Sequence, residues 1–274
     1  MHNIKYLLLR RATQTILLVL YFGANAYGWH MLEGTFGASR LFGIVPLADP
    51  YTTLQSLAAG FVLGTDVLLG ALIITLFYMI VGGRAFCSWV CPINMVTDLA
   101  NWLRRKLNLD KEEVNYRFLR RRARYWIMVL GLIVSAIVGV AAFEVLSPIT
   151  IMQRGIIFGF GAGFAVVVAI FLFDLFGVKN GWCGHLCPLG ATYSLIGKAS
   201  LVRVKHDHEA CTNCMDCKVV CPENQVLYMI NKESISVTDG ECTNCGRCID
   251  VCNDNALEFG IRSFTKNNNM KENK

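Results

Sequence analysis

Two stretches decide how this chain is read: CSWVCPIN at residues 87–94 and CGHLCPLG at residues 183–190. Each sets two cysteines four apart and places a proline directly after the second. A glycine-bearing turn precedes each one, Gly82-Gly83-Arg84 in the first half and Asn180-Gly181-Trp182 in the second, and a long apolar run precedes each turn. Further upstream, both halves carry a loop with a proline beside apolar residues, Val45-Pro46-Leu47 and then Ser147-Pro148-Ile149. The same order twice reads as an internal duplication.

Composition places that duplication in lipid. Of 274 residues, 54% are apolar and 17% charged, and the mean hydropathy of +0.43 exceeds that of an ordinary soluble domain. About 20 helical residues cross a hydrocarbon layer ~30 Å thick. Four stretches have that length: residues 12–32, 62–81, 126–146 and 156–178. The expected fold is an α-helical membrane protein with four transmembrane helices in two parallel repeats, followed by a C-terminal α+β two-cluster ferredoxin-like domain. Lys5, Arg10 and Arg11 before an apolar run that holds Ala24-Asn25-Ala26 also fit a cleaved signal peptide, but the run continues to Leu32, as in a retained anchor.

Basic residues accumulate in cytoplasmic loops. Here they are Arg104, Arg105, Lys106, Lys111, Arg117, Arg120, Arg121, Arg122 and Arg124, whereas residues 33–61 contain only Arg40 and residues 147–155 only Arg154. This asymmetry puts both termini, and everything after the fourth span, in the cytoplasm. The formal charge of +6 is concentrated in that loop. Contact with membrane lipid accounts for it more simply than nucleic acid, which is not expected as a partner. Within residues 92–109, Ile93, Val96, Leu99, Trp102, Leu103 and Leu107 recur at helical spacing, predicting an amphipathic helix on the membrane surface. Beyond Asp110 a solvated basic loop serves as well.

Each cysteine pair follows an inward-running span. In a helix, residues four apart share a face, and a two-fold relation between the halves would bring Cys87 and Cys91 towards Cys183 and Cys187. Four converging sulfurs could bind an additional metal, alternate between dithiol and disulfide, or border a pocket. Free cysteine is also a common buried small side chain; its recurrence at equivalent positions argues for more than packing.

From Leu201 the apolar runs stop. Cys211, Cys214, Cys217 and Cys221 are followed by Pro222, and Cys242, Cys245, Cys248 and Cys252 repeat the same spacing. This is the bacterial ferredoxin run, in which three thiolates hold one cluster and the fourth belongs to the other. It assigns Cys211, Cys214, Cys217 and Cys252 to one 4Fe-4S cluster and Cys242, Cys245, Cys248 and Cys221 to the second. Soft thiolates suit iron–sulfur clusters, while structural zinc sites more often use two separated cysteine pairs. Asn253 stands where a second proline would complete the pattern. Alternation over residues 225–230 and 234–238 predicts a β-hairpin between the runs.

Two one-electron carriers beside an apolar domain suggest quinol as substrate and the quinone pool as partner. Quinol oxidation needs a proton acceptor near the ring oxygens. Ionisable groups within spans are therefore candidates: Asp174 above all, with Glu144, His30 and Glu33 nearer span ends. No histidine pair lies at membrane depth to hold haem, and His185, between Cys183 and Cys187, is placed to ligate a metal with them, to donate a hydrogen bond to a sulfur, or simply to face solvent.

With all twelve cysteines in this order, the chain resembles the NapH family, membrane ferredoxin-type quinol dehydrogenase subunits of the periplasmic nitrate reductase system. The resemblance extends over essentially the whole chain. It implies a multi-pass protein of the bacterial cytoplasmic (inner) membrane, a periplasmic iron–sulfur partner resembling NapG, and a role for Cys87, Cys91, Cys183 and Cys187 in quinol oxidation or partner contact. Related proteins with this cysteine architecture make an electron donor or metal reductase for cofactor maturation the second reading, and a redox-responsive membrane module the third. The expected organisation is residues 1–200 for the membrane domain, 201–264 for the ferredoxin-like domain and 265–274 for a polar disordered tail.

Overall fold

The computed structural model describes residues 4–109, 121–159, 161 and 163–262; the expected tail at 265–274, and Lys111, Arg117 and Arg120, lie outside them. Helix α1 (Lys5–Tyr27) opens the chain and is followed by a three-stranded antiparallel sheet of β1 (Leu32–Gly34), β2 (Ala38–Leu41) and β3 (Val45–Ala48). Next come α2 (Pro50–Ala58) and α3 (Thr65–Val81), then α4 (Ile93–Lys106) and α5 (Ala123–Val138). The second half contributes α6 (Ala142–Leu146), α7 (Pro148–Phe158), α8 (Phe164–Leu172) and α9 (Pro188–Gly197).

Four transmembrane helices are not what the structure holds. Among the described residues only α1, with 23 residues, is long and apolar enough to cross a membrane; α3, α5 and residues 164–177 are shorter apolar helices. Glycines at positive φ account for much of the difference. Gly28 and Gly139 end α1 and α5 in the left-handed region at φ 69° and 72°, Gly82 ends α3 at φ 129°, and Gly159 at φ 94° ends α7 and so interrupts the fourth expected span. Apolar composition continues through these positions, but helical backbone does not.

The amphipathic helix forms as α4, with its polar side turned into the protein and Leu99, Trp102 and Leu107 of its apolar side turned outward. Thr97, Asp98, Asn101 and Arg104 are buried, while Leu99 and Trp102 are exposed. Polar partners outweigh apolar burial here: Asp98 gathers Arg10, Arg11 and Arg247, Asn101 donates to Asn180 Oδ1 at 2.7 Å, and Arg104 donates to the Leu175 and Gly177 carbonyls. A buried charge without such partners would be far costlier than an exposed Leu or Trp.

The tail consists of β4 (Val202–His206), α10 (Asp216–Val220), α11 (Arg247–Asp250) and β5 (Leu257–Ile261). Its two strands pair antiparallel, from Val202 opposite Ile261 to His206 opposite Leu257. The expected hairpin is absent: residues 224–227 form a 3₁₀ turn, and Ser236 makes only an isolated bridge to Lys205. The alternating residues serve instead as core, with Val226, Leu227, Met229, Ile230 and Val237 packed around Val204 and Leu257.

Tail and apolar domain meet backbone to backbone. A Cβ on Gly83 would strike the Tyr193 carbonyl and the Gly197 backbone, and one on Gly240 would strike the Ser194 carbonyl and the Lys198 nitrogen. Only glycine permits this approach, which presses the turns before Cys87 and Cys242 against the end of α9.

Candidate iron–sulfur and cysteine centres

The two ferredoxin runs fold into matching loops. In the first, Asn213 and Met215 take left-handed backbone at φ 62° and 66°; in the second, Asn244 and Gly246 do so at 46° and 73°. These positions correspond, and they bend each loop so that successive cysteines face one centre. One cavity, with about 350 Å³ of atom-free space, is lined by Cys221, Cys242, Cys245 and Cys248. The other, about 310 Å³, is lined by Cys211, Cys214, Cys217 and Cys252. Each quartet thus combines three cysteines of one run with the fourth of the other, the exchange expected of two-cluster ferredoxins. All twelve cysteines are free, and among the described residues no three His, Cys, Asp or Glu side chains are close enough to hold a single metal ion. The donor set and the spaces fit clusters.

Further observations support the fit. His206 lines the 310 Å³ cavity; its Nδ1 pairs with the Glu233 carbonyl at 2.8 Å, and its buried Nε2 has no protein partner. The other cavity is lined by Arg247, and Arg10, Arg84 and Arg203 lie near enough to Cys245 or Cys242 to bear on their charge. At His206, cluster sulfur would supply the partner that Nε2 lacks.

The C-x-x-x-C segments are π-turns, not the continuous α-helix the spacing suggested. Residues Phe86–Val90 and Gly181–Leu186 form them, closed by bonds from Cys91 N–H to the Phe86 carbonyl at 3.0 Å and from Cys187 N–H to the Trp182 carbonyl at 2.9 Å. Proline disfavours helical backbone in the residue before it, and Cys91 and Cys187 are accordingly extended, with ψ 121° and 112°. Carbonyls freed by the first turn are not left bare: Gln14 of α1 donates to those of Ser88 and Cys91 at 3.0 and 3.1 Å.

The two pairs come together. Cys91 and Cys187 lie in one core with Phe86, Tyr193 and Tyr78, and Cys87 packs against it. Burial pushes the Cys183 thiol well above its ordinary value, and Cys91, Cys187, Asp174 and Cys87 are near enough to raise it further. Cys187 is pushed up to about 12, by burial first and Cys87 next. As free thiols these groups would be protonated at neutral pH.

Asp174 is fully buried, and its Oδ1 accepts from the Trp182 N–H at 3.0 Å while Oδ2 has no partner. It therefore holds the turn bearing Cys183. His185 is buried with Nδ1 unpartnered, and its pKa is lowered by burial and then by Arg121. Glu144 accepts from Thr52 and Thr150 at 3.1 and 2.9 Å. His30 and Glu33, both exposed, pair with each other away from the cysteines.

What the sequence reading missed is the ionic joint between the centres. Arg84, almost fully buried, donates to Glu223 Oε1 at 2.6 Å, to the Glu241 carbonyl at 3.0 Å and to the Cys183 carbonyl at 3.1 Å. Arg124, also buried, pairs with Glu223 and Glu241. Ser88 donates to the Thr243 carbonyl at 2.7 Å, and Trp89 Nε1 to that of Asn244 at 3.0 Å. The first π-turn is thus bonded directly to the loop carrying Cys242 and Cys245. That quartet is the inner one; the quartet containing exposed Cys214 is the outer.

Folded ferredoxin loops with cysteine-lined cavities define a ferredoxin-type iron–sulfur protein that transfers electrons. Models of a 4Fe-4S binding domain match residues 63–110 and again 159–206, the shift that carries Cys87 onto Cys183, and a 4Fe-4S dicluster domain matches residues 203–253. The chain is 46% identical to the methylamine utilization ferredoxin-type protein MauN of Methylorubrum extorquens, over 81% of this chain and 77% of that protein. It is 44% identical to the ferredoxin-type protein NapH of Escherichia coli over 81% and 77%. It is 45% identical to MauN of Paracoccus denitrificans over 81% and 78%. The chain belongs to this NapH and MauN family of ferredoxin-type proteins. No solved structure matches it.

Proposed function

We propose that this protein is a membrane-associated subunit that oxidises quinol and passes the electrons through two 4Fe-4S clusters to an iron–sulfur partner resembling NapG, in a chain serving nitrate reduction. Cys221, Cys242, Cys245 and Cys248 would hold the inner cluster, and Cys211, Cys214, Cys217 and Cys252 the outer; bound there, each would supply one-electron transfer. The observation that carries this reading is the bonding of the Phe86–Val90 turn to the inner loop through Ser88 and Trp89, because it ties the residues next to Cys87 directly to those next to Cys242. The four C-x-x-x-C-P cysteines stand at the electron entrance, with Asp174 fixing the geometry of Cys183. Membrane contact falls to α1 and to exposed apolar side chains such as Leu72 and Leu76 of α3 and Ile133 and Ile137 of α5. The basic residues after Leu103 favour a cytoplasmic position for the clusters.

Similar identity to NapH and to MauN supports one shared electron-donating module whose final acceptor differs between systems. The test is anaerobic quinol oxidation in lipid with an artificial acceptor, comparing the wild type with a variant carrying serine at Cys87, Cys91, Cys183 and Cys187. Activity lost while cluster iron is retained supports the reading. Unchanged activity in the variant, or none in a fully loaded wild type supplied with its iron–sulfur partner, overturns it.

A further inference from the structure

The two tail cavities differ sharply in the charge around them. Arg247 lines the inner one and is held on Asp98 beside Arg10, whose guanidinium is fully buried, 3.0 Å from the same carboxylate. Arg10 lies near enough to Cys245 for each to bear on the other's charge. Arg203 and Arg84 do the same at Cys242, and both are almost fully buried. Arg203 reaches the Asp239 and Gly197 carbonyls through its terminal nitrogens. Even so, Nε of Arg10, Arg84 and Arg203, and Nη1 of Arg10, have no acceptor in the protein. The outer cavity has no arginine or lysine in its lining; its charged side chain is Asp254, which accepts from the Thr212 N–H at 3.2 Å.

Reducing a cluster adds one negative charge. Burial opposes that charge, and neighbouring cations favour it. Around the inner quartet, burial is offset by fixed guanidinium groups. The carboxylates Asp98, Glu223, Asp239 and Glu241 are shared among these groups and Arg11, Arg121 and Arg124, so guanidinium groups outnumber acids there, and the buried Nε–H groups of Arg10, Arg84 and Arg203 lack protein acceptors. Charge and hydrogen bonds to sulfur both raise a cluster's potential. The outer quartet has water at Cys214 but no cation in its lining.

We propose that Arg10, Arg84, Arg203 and Arg247 make the inner cluster the higher-potential of the two, so that a first electron rests there and the outer cluster fills only with a second. A quinol, giving up two electrons and two protons as it becomes quinone, would then reduce the inner cluster with one electron and the outer with the other. The electron on the outer cluster, near exposed Cys214, is the one placed to leave. The inference rests on the two-cluster part of the function proposed above and not on quinol as donor.

The experiment is a mediated redox titration of the full-length, cluster-loaded protein, followed by electron paramagnetic resonance, with dithionite as reductant. Two separate midpoints are expected. Cys214→Ser should alter the signal of the lower wave, which assigns it to the outer cluster. Arg203→Gln should move the higher midpoint down and leave the lower one in place, Arg203→Lys should restore it, and Arg10→Gln provides an independent removal of charge. A single shared midpoint, a higher wave altered by Cys214→Ser, or a higher midpoint unmoved in both glutamine variants overturns the inference. Iron for only one cluster per chain would instead overturn the two-cluster reading, and this is measured before any midpoint.

Discussion

Arg84 lies three residues before Cys87 and Glu223 two residues after Cys221, yet their side chains meet at 2.6 Å in the interior. The pair joins the apolar domain to the tail where the two kinds of cysteine centre come closest. Arg124 shares the Glu223 carboxylate at 3.4 Å, and Arg121 reaches its other oxygen. One acid therefore balances several guanidinium groups.

Glu223→Gln should be among the more damaging single changes. Removing one partner of a buried ion pair leaves uncompensated charge and costs about 3–5 kcal/mol. Thermal unfolding of the loaded protein at neutral pH should show a clear fall in midpoint. Glu258→Gln, on β5, should stay within about 0.5 kcal/mol of wild type, as is usual for surface changes.

Asp49 gives a pH-dependent prediction of opposite sign to the usual carboxylate. It caps α2 by accepting from the Thr52 N–H, and Tyr193 donates to it at 3.0 Å. Burial pushes it up from 3.8 to about 6, with Glu144 adding to the rise and the Thr52 and Tyr193 bonds opposing it. The folded state thus holds a proton that the unfolded state releases, so stability falls as pH rises between about 4 and about 6, by ~3 kcal/mol. Asp49→Asn keeps a capping acceptor and should flatten that slope, raising the unfolding midpoint above pH 7 relative to wild type. The same slope in both proteins would place its origin elsewhere.

Asp98 should behave in the other direction. Burial raises its pKa, but Arg247, Arg10 and Arg11 together outweigh burial and hold it below the ordinary carboxylate range. Its contribution is present at neutral pH and lost as pH falls through that lowered value. Asp98→Asn should destabilise the protein at pH 7 by about 3–5 kcal/mol, with the deficit shrinking in acid as wild type loses the same charge.

Gly240→Ala should dislodge the inner loop, because the added methyl meets the Ser194 carbonyl and the Lys198 nitrogen, neither of which can rotate away. Loss of cluster iron together with a lowered melting point is expected. Gly64→Ala, where the space is open, provides the control and should leave both within error.

The sequence made the chemistry legible better than the architecture. Cysteine spacing is local information and anticipated which cysteines line each cavity, while the internal duplication anticipated the approach of Cys87, Cys91, Cys183 and Cys187. The spans were not legible in this way, because hydropathy is a sum over side chains whereas Gly82, Gly139 and Gly159 act through the backbone. Periodicity found α4 and its apolar stripe but not the burial of its polar side, since nothing near Asp98 in the chain announces Arg10 and Arg247. Arg84 and Glu223 were missed for the same reason: each adjoins a cysteine motif, but their pairing is a property of the folded protein. A buried-arginine hypothesis for Gly82-Gly83-Arg84 would have been the one available clue.

The contacts of α1 also bear on how the protein is made. Its first turn gives the Tyr6 and Leu7 N–H groups to the Asp250 carboxylate, partners 244 and 243 residues distant. Helix α1 cannot make these bonds until Asp250, 244 residues after Tyr6, has been translated, at ~5–20 residues per second. Cys248 precedes Asp250 by only two residues, so the inner quartet and the seat of α1 are completed together, and docking of the helix reports that the loop around Cys245 has formed.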